Sequence, residues 1–148
     1  MRRATFRGIY AALFVVWAAA AHNLLSAGAV EQGGANVIGS IRLTQAVMAD
    51  GKVLPAGTYQ VRLTNDQPTP AAGESPGGER WLEFVKNGTV AGREVATVVS
   101  ADEINTIVKG PQPKANASRV DLLKGGDYVR VWINRGGTNY ILNMPPAR

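Results

Sequence analysis

Between Lys52 and Leu63 the chain reads Lys-Val-Leu-Pro-Ala-Gly-Thr-Tyr-Gln-Val-Arg-Leu, a turn feeding a strand. Pro55 presets φ for the second position of a turn, and Gly57 can take a conformation that other residues resist. From there the side chains alternate, with Tyr59, Val61 and Leu63 on one face and Thr58, Gln60 and Arg62 on the other. A period of two is the pattern of a half-buried antiparallel strand, and it excludes an amphipathic helix here.

Comparable runs recur between Gly, Asn and Pro turns. They predict strands over Val37–Met48, Lys52–Thr64, Trp81–Lys86, Thr89–Ser100, Arg119–Lys124, Tyr128–Asn134 and Thr138–Met144. Asn87-Gly88 between two apolar runs is a strong hairpin signal, because both residues tolerate positive φ in a type I′ turn. Gly92, early in the following run, suggests a bulge. Ser100 and Glu103 form a capping-box pair ahead of Ala101, Ile104, Ile107 and Val108 on one helical face, and Lys109-Gly110-Pro111 supplies a stop. Pro145-Pro146 closes the last strand. About seven strands and one short helix predict an all-β fold, an antiparallel β-sandwich of Ig-like or prealbumin-like form, with a barrel as the alternative.

The first residues read as an address. Arg2, Arg3 and Arg7 precede an apolar run of 13 residues from Ile9 to Ala21, and Ala27-Gly28-Ala29 offers a cleavage site before Val30. That is the pattern of a secretory signal peptide, and the run is shorter than the roughly 20 residues of a membrane span. The expected organisation is a signal peptide over 1–29, a flexible lead over 30–36 and a β-sandwich domain over 37–148. Contact with a membrane would come only through an uncleaved leader. Export places the domain in the periplasm or outside the cell.

Removing the leader changes the charge. The chain has 16 basic and 11 acidic residues, and the leader takes three arginines and no acid, leaving 13 against 11. The remaining Lys and Arg are scattered singly rather than gathered in a patch, so nucleic acid is not an expected partner. There is no cysteine, and the one histidine, His22, lies within the leader. A domain without His or Cys has no serine–histidine triad, no thiol nucleophile and no imidazole or thiolate metal site. The carboxylates do not follow calcium-loop spacing, and no phosphate-binding glycine loop is present. The reading is therefore no catalytic residues, no metal and no cofactor.

The Lys-x-Leu-Pro-Ala-Gly-Thr-Tyr-x-Val run at Lys52–Val61, with Arg-Val-Trp-Ile-Asn-Arg-Gly-Gly-Thr-Asn-Tyr at Arg130–Tyr140, resembles several groups of uncharacterised exported bacterial β-sandwich proteins. The resemblance covers about a third of the mature chain. It implies the fold and export, and it carries no activity over to any residue.

Two stretches are candidates for binding. In the strand after Tyr128, Val129, Val131 and Ile133 form the expected buried face, which leaves Tyr128, Arg130 and Trp132 opposite, with Tyr140 of the next strand beside them. Exposed, these four would suit a sugar ring or a protein interface. The competing reading has this strand buried on both faces, or its aromatic face covered by the helix. The second stretch is Asn65–Arg80, with three prolines and three glycines in 16 residues, a long exposed loop. The expected function is a non-catalytic exported module, binding or structural, whose partner is an envelope protein or a glycan. The alternatives are a carbohydrate-binding module and an extracellular assembly subunit that self-associates through edge strands.

Overall fold

A computed structural model describes residues 36–73 and 77–148. The expected leader, and residues 30–35 of the expected lead, lie outside the described residues. Nine strands and one helical turn follow in order: β1 Val37–Leu43, β2 Val47–Ala49, β3 Lys52–Leu54, β4 Gly57–Leu63, β5 Glu79–Lys86, β6 Thr89–Val99, α1 Ile104–Ile107, β7 Ser118–Leu122, β8 Val129–Arg135 and β9 Thr138–Met144. The fold is antiparallel all-β throughout its ladders.

Two of the expected long strands are each broken in two. The first bends at residues 44–46, and the second is interrupted at Pro55-Ala56, where proline has no N–H to give to a ladder. The pieces on either side of Asp50-Gly51 pair with each other instead, as a small β2–β3 hairpin. Asp50 and Gly51 both have positive φ, 43° and 73°, as a two-residue hairpin turn of this hand requires.

The other seven strands form one uninterrupted sheet in the order β1-β4-β5-β6-β9-β8-β7. The ladder does not divide into two stacked sheets as a sandwich would. It curls until its two edges meet, and the Ser118 hydroxyl on β7 donates to the Ser40 carbonyl on β1. Six antiparallel steps leave β1 and β7 running the same way. On β1, Gly39 has no side chain, and a Cβ there would stand 3.1 Å from Ile133 Cγ2 of β8. Its absence lets the two sides of the curl come together over the core.

That core is the inner face of the curled sheet. Ile38, Ile41, Leu43, Tyr59, Val61, Leu82, Phe84, Ala96, Val131, Ile133, Tyr140, Leu142 and Met144 are all buried within it. Alternation puts them there, with inward-facing members two residues apart along each strand except across the irregularity near the start of β1, where Ile38 and Ile41 are three apart. The Asn87-Gly88 hairpin forms as expected, with φ of 52° and 77°. The bulge forms as well, since Phe84 pairs with Gly92 and Val85 with Val90, leaving Ala91 extra.

The two ends of the curl differ. At one end the β2–β3 hairpin folds inward, burying Val47, Ala49 and Leu54. Gly92 makes room for it, with Leu54 Cδ1 3.5 Å from where a Cβ would be. The chain terminus holds the hairpin down: Met48 N–H donates to the Pro145 carbonyl at 2.8 Å, and Ala147 N–H to the Ala46 carbonyl at 2.9 Å. So Pro145-Pro146 ends strand β9 yet still joins a neighbour through its carbonyl. At the other end lie the loop between β4 and β5 and the connection carrying α1. Among the described residues no helix is long and apolar enough to cross a membrane.

Candidate functional site

The Pro-Ala-Gly-Thr-Tyr turn is a structural device. The Tyr59 hydroxyl donates to the Pro55 carbonyl at 2.7 Å, four residues upstream, while its ring lies in the core edge-on to Phe84 with centroids 6.3 Å apart. Lys86 Nζ sits 5.6 Å from the same ring centroid. Gly57 has φ of 155°, and a Cβ there would stand 3.0 Å from Lys86 Nζ. Tyr59 and Gly57 thus have packing reasons, while Ala56, Gly57 and Thr58 also line a cleft of about 430 Å³ with Arg42, Leu43 and Thr44.

The four candidate residues of the aromatic face do not come together. Trp132 is 2% exposed. It does point away from the main core, but a second cluster covers it: Val99 of β6, Ile141 of β9 and Ile104 of α1, with Val108 packed alongside. The Trp132 indole N–H donates to Asn139 Oδ1 at 2.8 Å, and Asn139 Nδ2 donates in turn to the Gly137 carbonyl at 3.3 Å. A buried indole with its donor satisfied is packing. Trp132 as an exposed binding residue is therefore corrected in favour of the competing reading, in which the helical turn covers the aromatic face at this position.

The helical turn does this with one residue. The Ser100 hydroxyl accepts from Glu103 N–H at 3.3 Å, one half of the expected capping box, while Glu103 Oε2 accepts from the Ser100 hydroxyl at 2.8 Å where a full box would have it accept from the Ser100 N–H. Ile104 is buried beneath it, whereas Ile107 is 61% exposed and Ala101 is exposed. The expected four-residue apolar face is too long for a helix of one turn.

Tyr128 is 47% exposed, just ahead of β8 at the hairpin-plugged end. Arg130 is half-buried on the outer face, where its Nε donates to Asn143 Oδ1 at 3.3 Å. It stands opposite Asp121, which is paired with Arg119. Tyr140 is on the other face altogether. It pairs with Ile133 and belongs to the inner core, with 9% of its surface exposed. An odd separation in register puts Trp132 and Tyr140 on opposite sides of the sheet.

Tyr140 instead reaches the loop end of the curl. There a cleft of about 360 Å³ is lined by Asn36, Leu63, Thr64, Asn65, Gln67, Arg80 and Tyr140. Arg80 pairs in register with the fully buried Ala96, so it stands on the inner face of a central strand. Burial pushes the Tyr140 phenol above its ordinary value, and the Arg80 charge pulls it partly back. Around the same loop a second groove, about 250 Å³, is lined by Pro68, Pro70, Glu79, Thr97, Val98, Val99 and Ile107 among others. The loop itself is anchored at its start: the Thr64 N–H donates to the Trp81 carbonyl at 3.1 Å, and the Thr64 hydroxyl accepts from Asp66 N–H at 3.2 Å.

Sequence reading missed Arg80 and Asn139. Arg80 lay at the loop boundary, where the phase of the alternation is undefined until strand β5 has a start. Asn139 carries no local signal, because the Trp132 indole it accepts from lies on the neighbouring strand. On the outer face of β4, β5 and β6 the charges pair off: Arg62 Nε meets Glu83 Oε2 at 2.6 Å, and Arg93 Nε meets Asp50 Oδ2 at 3.0 Å while stacking 4.3 Å from the Trp81 ring centroid. Among the described residues no three of His, Cys, Asp and Glu are grouped so as to hold a metal ion. Comparison with protein-family models, with curated proteins and with solved structures found no match for this chain.

Proposed function

We propose that the chain is an exported, non-catalytic β-module that binds a ligand of the cell envelope at the loop end of its curled sheet. The observation that carries this reading is the asymmetry of the two ends. One is plugged by apolar side chains of the β2–β3 hairpin and tied by residues 145–147, and the cleft of about 430 Å³ found there is lined by strand ends and the Ala56 turn rather than by a long loop. The other keeps two clefts beside a long proline-rich loop. Binding sites favour concave places on loops held by a rigid frame. In this reading the curled sheet serves as the two packed halves of an Ig-like or prealbumin-like sandwich would, as a stiff support. The absence of cysteine, with the sole histidine in the leader, favours binding over catalysis.

Export rests on the arginine-rich start, the 13-residue apolar run and Ala27-Gly28-Ala29. The resemblance to exported bacterial β-proteins supports the same placement, in the periplasm or outside the cell. The rival reading, a fibre subunit pairing through edge strands, is less favoured because β1 and β7 lie against each other.

The test is a nuclear magnetic resonance screen of residues 30–148 against glycan fragments of bacterial envelopes, with sedimentation to measure size. The expected outcome is a monomer whose perturbed amides cluster at residues 63–73, 77–80, 97–99 and 140. Concentration-dependent oligomers, or perturbations confined to Tyr128 and Arg130, would reject this reading.

A further inference from the structure

The cleft between Leu63 and Tyr140 contains two donors that the fold leaves without partners. Arg80 is half-buried and faces the core side of β5, yet among the described residues no carboxylate forms an ion pair with it. Its guanidinium is open to solvent in the cleft, since among the described residues no buried side-chain nitrogen lacks a partner, and it is therefore free to meet an anion from outside. Inward charges do protect exposed sheet edges, but β5 lies between β4 and β6, so that explanation does not apply. The Tyr140 hydroxyl, on a residue 9% exposed, likewise has no hydrogen-bond partner among the described residues, and since no buried side-chain oxygen or nitrogen there lacks a partner, this hydroxyl opens onto solvent in the cleft. By contrast Tyr59, the other core tyrosine, is bonded to Pro55.

Both groups line the same cleft, and among the described residues no carboxylate lines it with them. The remaining polar lining consists of the Asn36, Asn65 and Gln67 amides and the Thr64 hydroxyl, which both donate and accept. A guanidinium fork matches a carboxylate, and a neutral phenol adds a second donor. Because burial raises the Tyr140 phenol, it keeps its proton at neutral pH and can donate. Amides and a hydroxyl around that pair suit the hydroxyls of a sugar. The outer face shows the contrast: there Arg62 and Arg93 already have their carboxylates from within the chain.

We propose that this cleft recognises a sugar acid, with Arg80 as the charge partner of its carboxylate and Tyr140 as the second donor. This rests on the loop-end binding reading and narrows it to one of the two clefts and one ligand class.

The experiment titrates residues 30–148 separately with glucuronate and with glucose, following backbone and side-chain amide shifts. Glucuronate is expected to give saturable shifts at Asn65, Gln67, Arg80 and Tyr140. Glucose is expected to bind at least about tenfold more weakly, since it lacks the group that a charge-assisted bond would hold. Raising salt should weaken glucuronate binding in the unaltered chain, a readout that needs no variant. Arg80→Gln should weaken it at least about tenfold, and Tyr140→Phe by a smaller factor, with each fold checked by its own amide spectrum. No saturable shift with glucuronate, equal binding of glucose, or equal binding by Arg80→Gln would overturn the assignment. Equal binding of glucose at these same residues would reject the sugar-acid assignment while leaving the loop-end binding module intact.

Discussion

Removing the Trp132 indole should unfold a sizeable part of this domain's stability, because the side chain is packing on the outer face of β8. The indole is 2% exposed, wedged between Val99, Ile141 and Ile104. Truncating a buried tryptophan to alanine costs about 3–5 kcal/mol through lost burial and the cavity left behind. Trp132→Ala also takes the donor away from Asn139 Oδ1, whose residue is 1% exposed, and an orphaned buried acceptor costs about 1–3 kcal/mol. The two terms overlap, since an enlarged cavity admits water to the same oxygen, so the expected total remains about 3–5 kcal/mol. Set against a typical total of about 5–15 kcal/mol, that is a large share. Trp132→Phe keeps much of the apolar volume and loses the hydrogen bond, so it should cost less, about 1–3 kcal/mol. Urea denaturation of residues 30–148 followed by far-ultraviolet circular dichroism measures both, free of the fluorescence change that losing a tryptophan brings. A double-mutant cycle with Asn139→Ala should give a coupling energy within about 0.5–3 kcal/mol. If Trp132→Ala shifted stability by less than about 0.5 kcal/mol, the surface range, the packing of α1 over β8 argued above would be wrong.

Three further outcomes are expected. Gly57→Val should cost about 1–3 kcal/mol, because φ of 155° suits glycine and a Cβ would press on Lys86 Nζ, while Pro55→Ala should cost under about 1 kcal/mol. Equal denaturation midpoints for the two variants would refute that ranking. Tyr59 and Tyr140 both hold their protons more tightly when folded, because burial raises each phenol. Unfolded phenols titrate near about pH 10, so the stabilisation is complete below that pH and falls away as pH climbs through the folded values. Replacing both by Phe should flatten the alkaline arm of the stability profile, and an unchanged slope would contradict it. Intact-mass measurement of the exported protein should show a chain beginning near Val30, and a full-length, membrane-bound product would favour an anchor instead.

The sequence carried a good deal of this in its local patterns. Alternation located β8 and β9 nearly to the residue, because side-chain direction in a strand is set by the backbone itself. Asn87-Gly88, the Gly92 bulge and the Ser100–Glu103 contact were legible for the same reason: each depends on residues within a few positions of one another. Pro55 announced a turn, although the hairpin it creates with Asp50-Gly51 depends on the pieces finding each other.

What tertiary structure decided was which faces are covered and what meets across the curl. Alternation states that Trp132 opposes Val131 and Ile133. It cannot state that Ile104, 28 positions earlier, lies on top of it. Two sheets and one curled sheet give the same strand pattern, and the difference lies in an unbroken β6–β9 ladder and the approach of β7 to β1. Arg80 and Tyr140 are 60 residues apart and meet only because β5, β6 and β9 are neighbours. Local sequence fixes the direction of a side chain along its own strand, whereas burial and partnership depend on long-range pairing, which a single chain's periodicity does not encode.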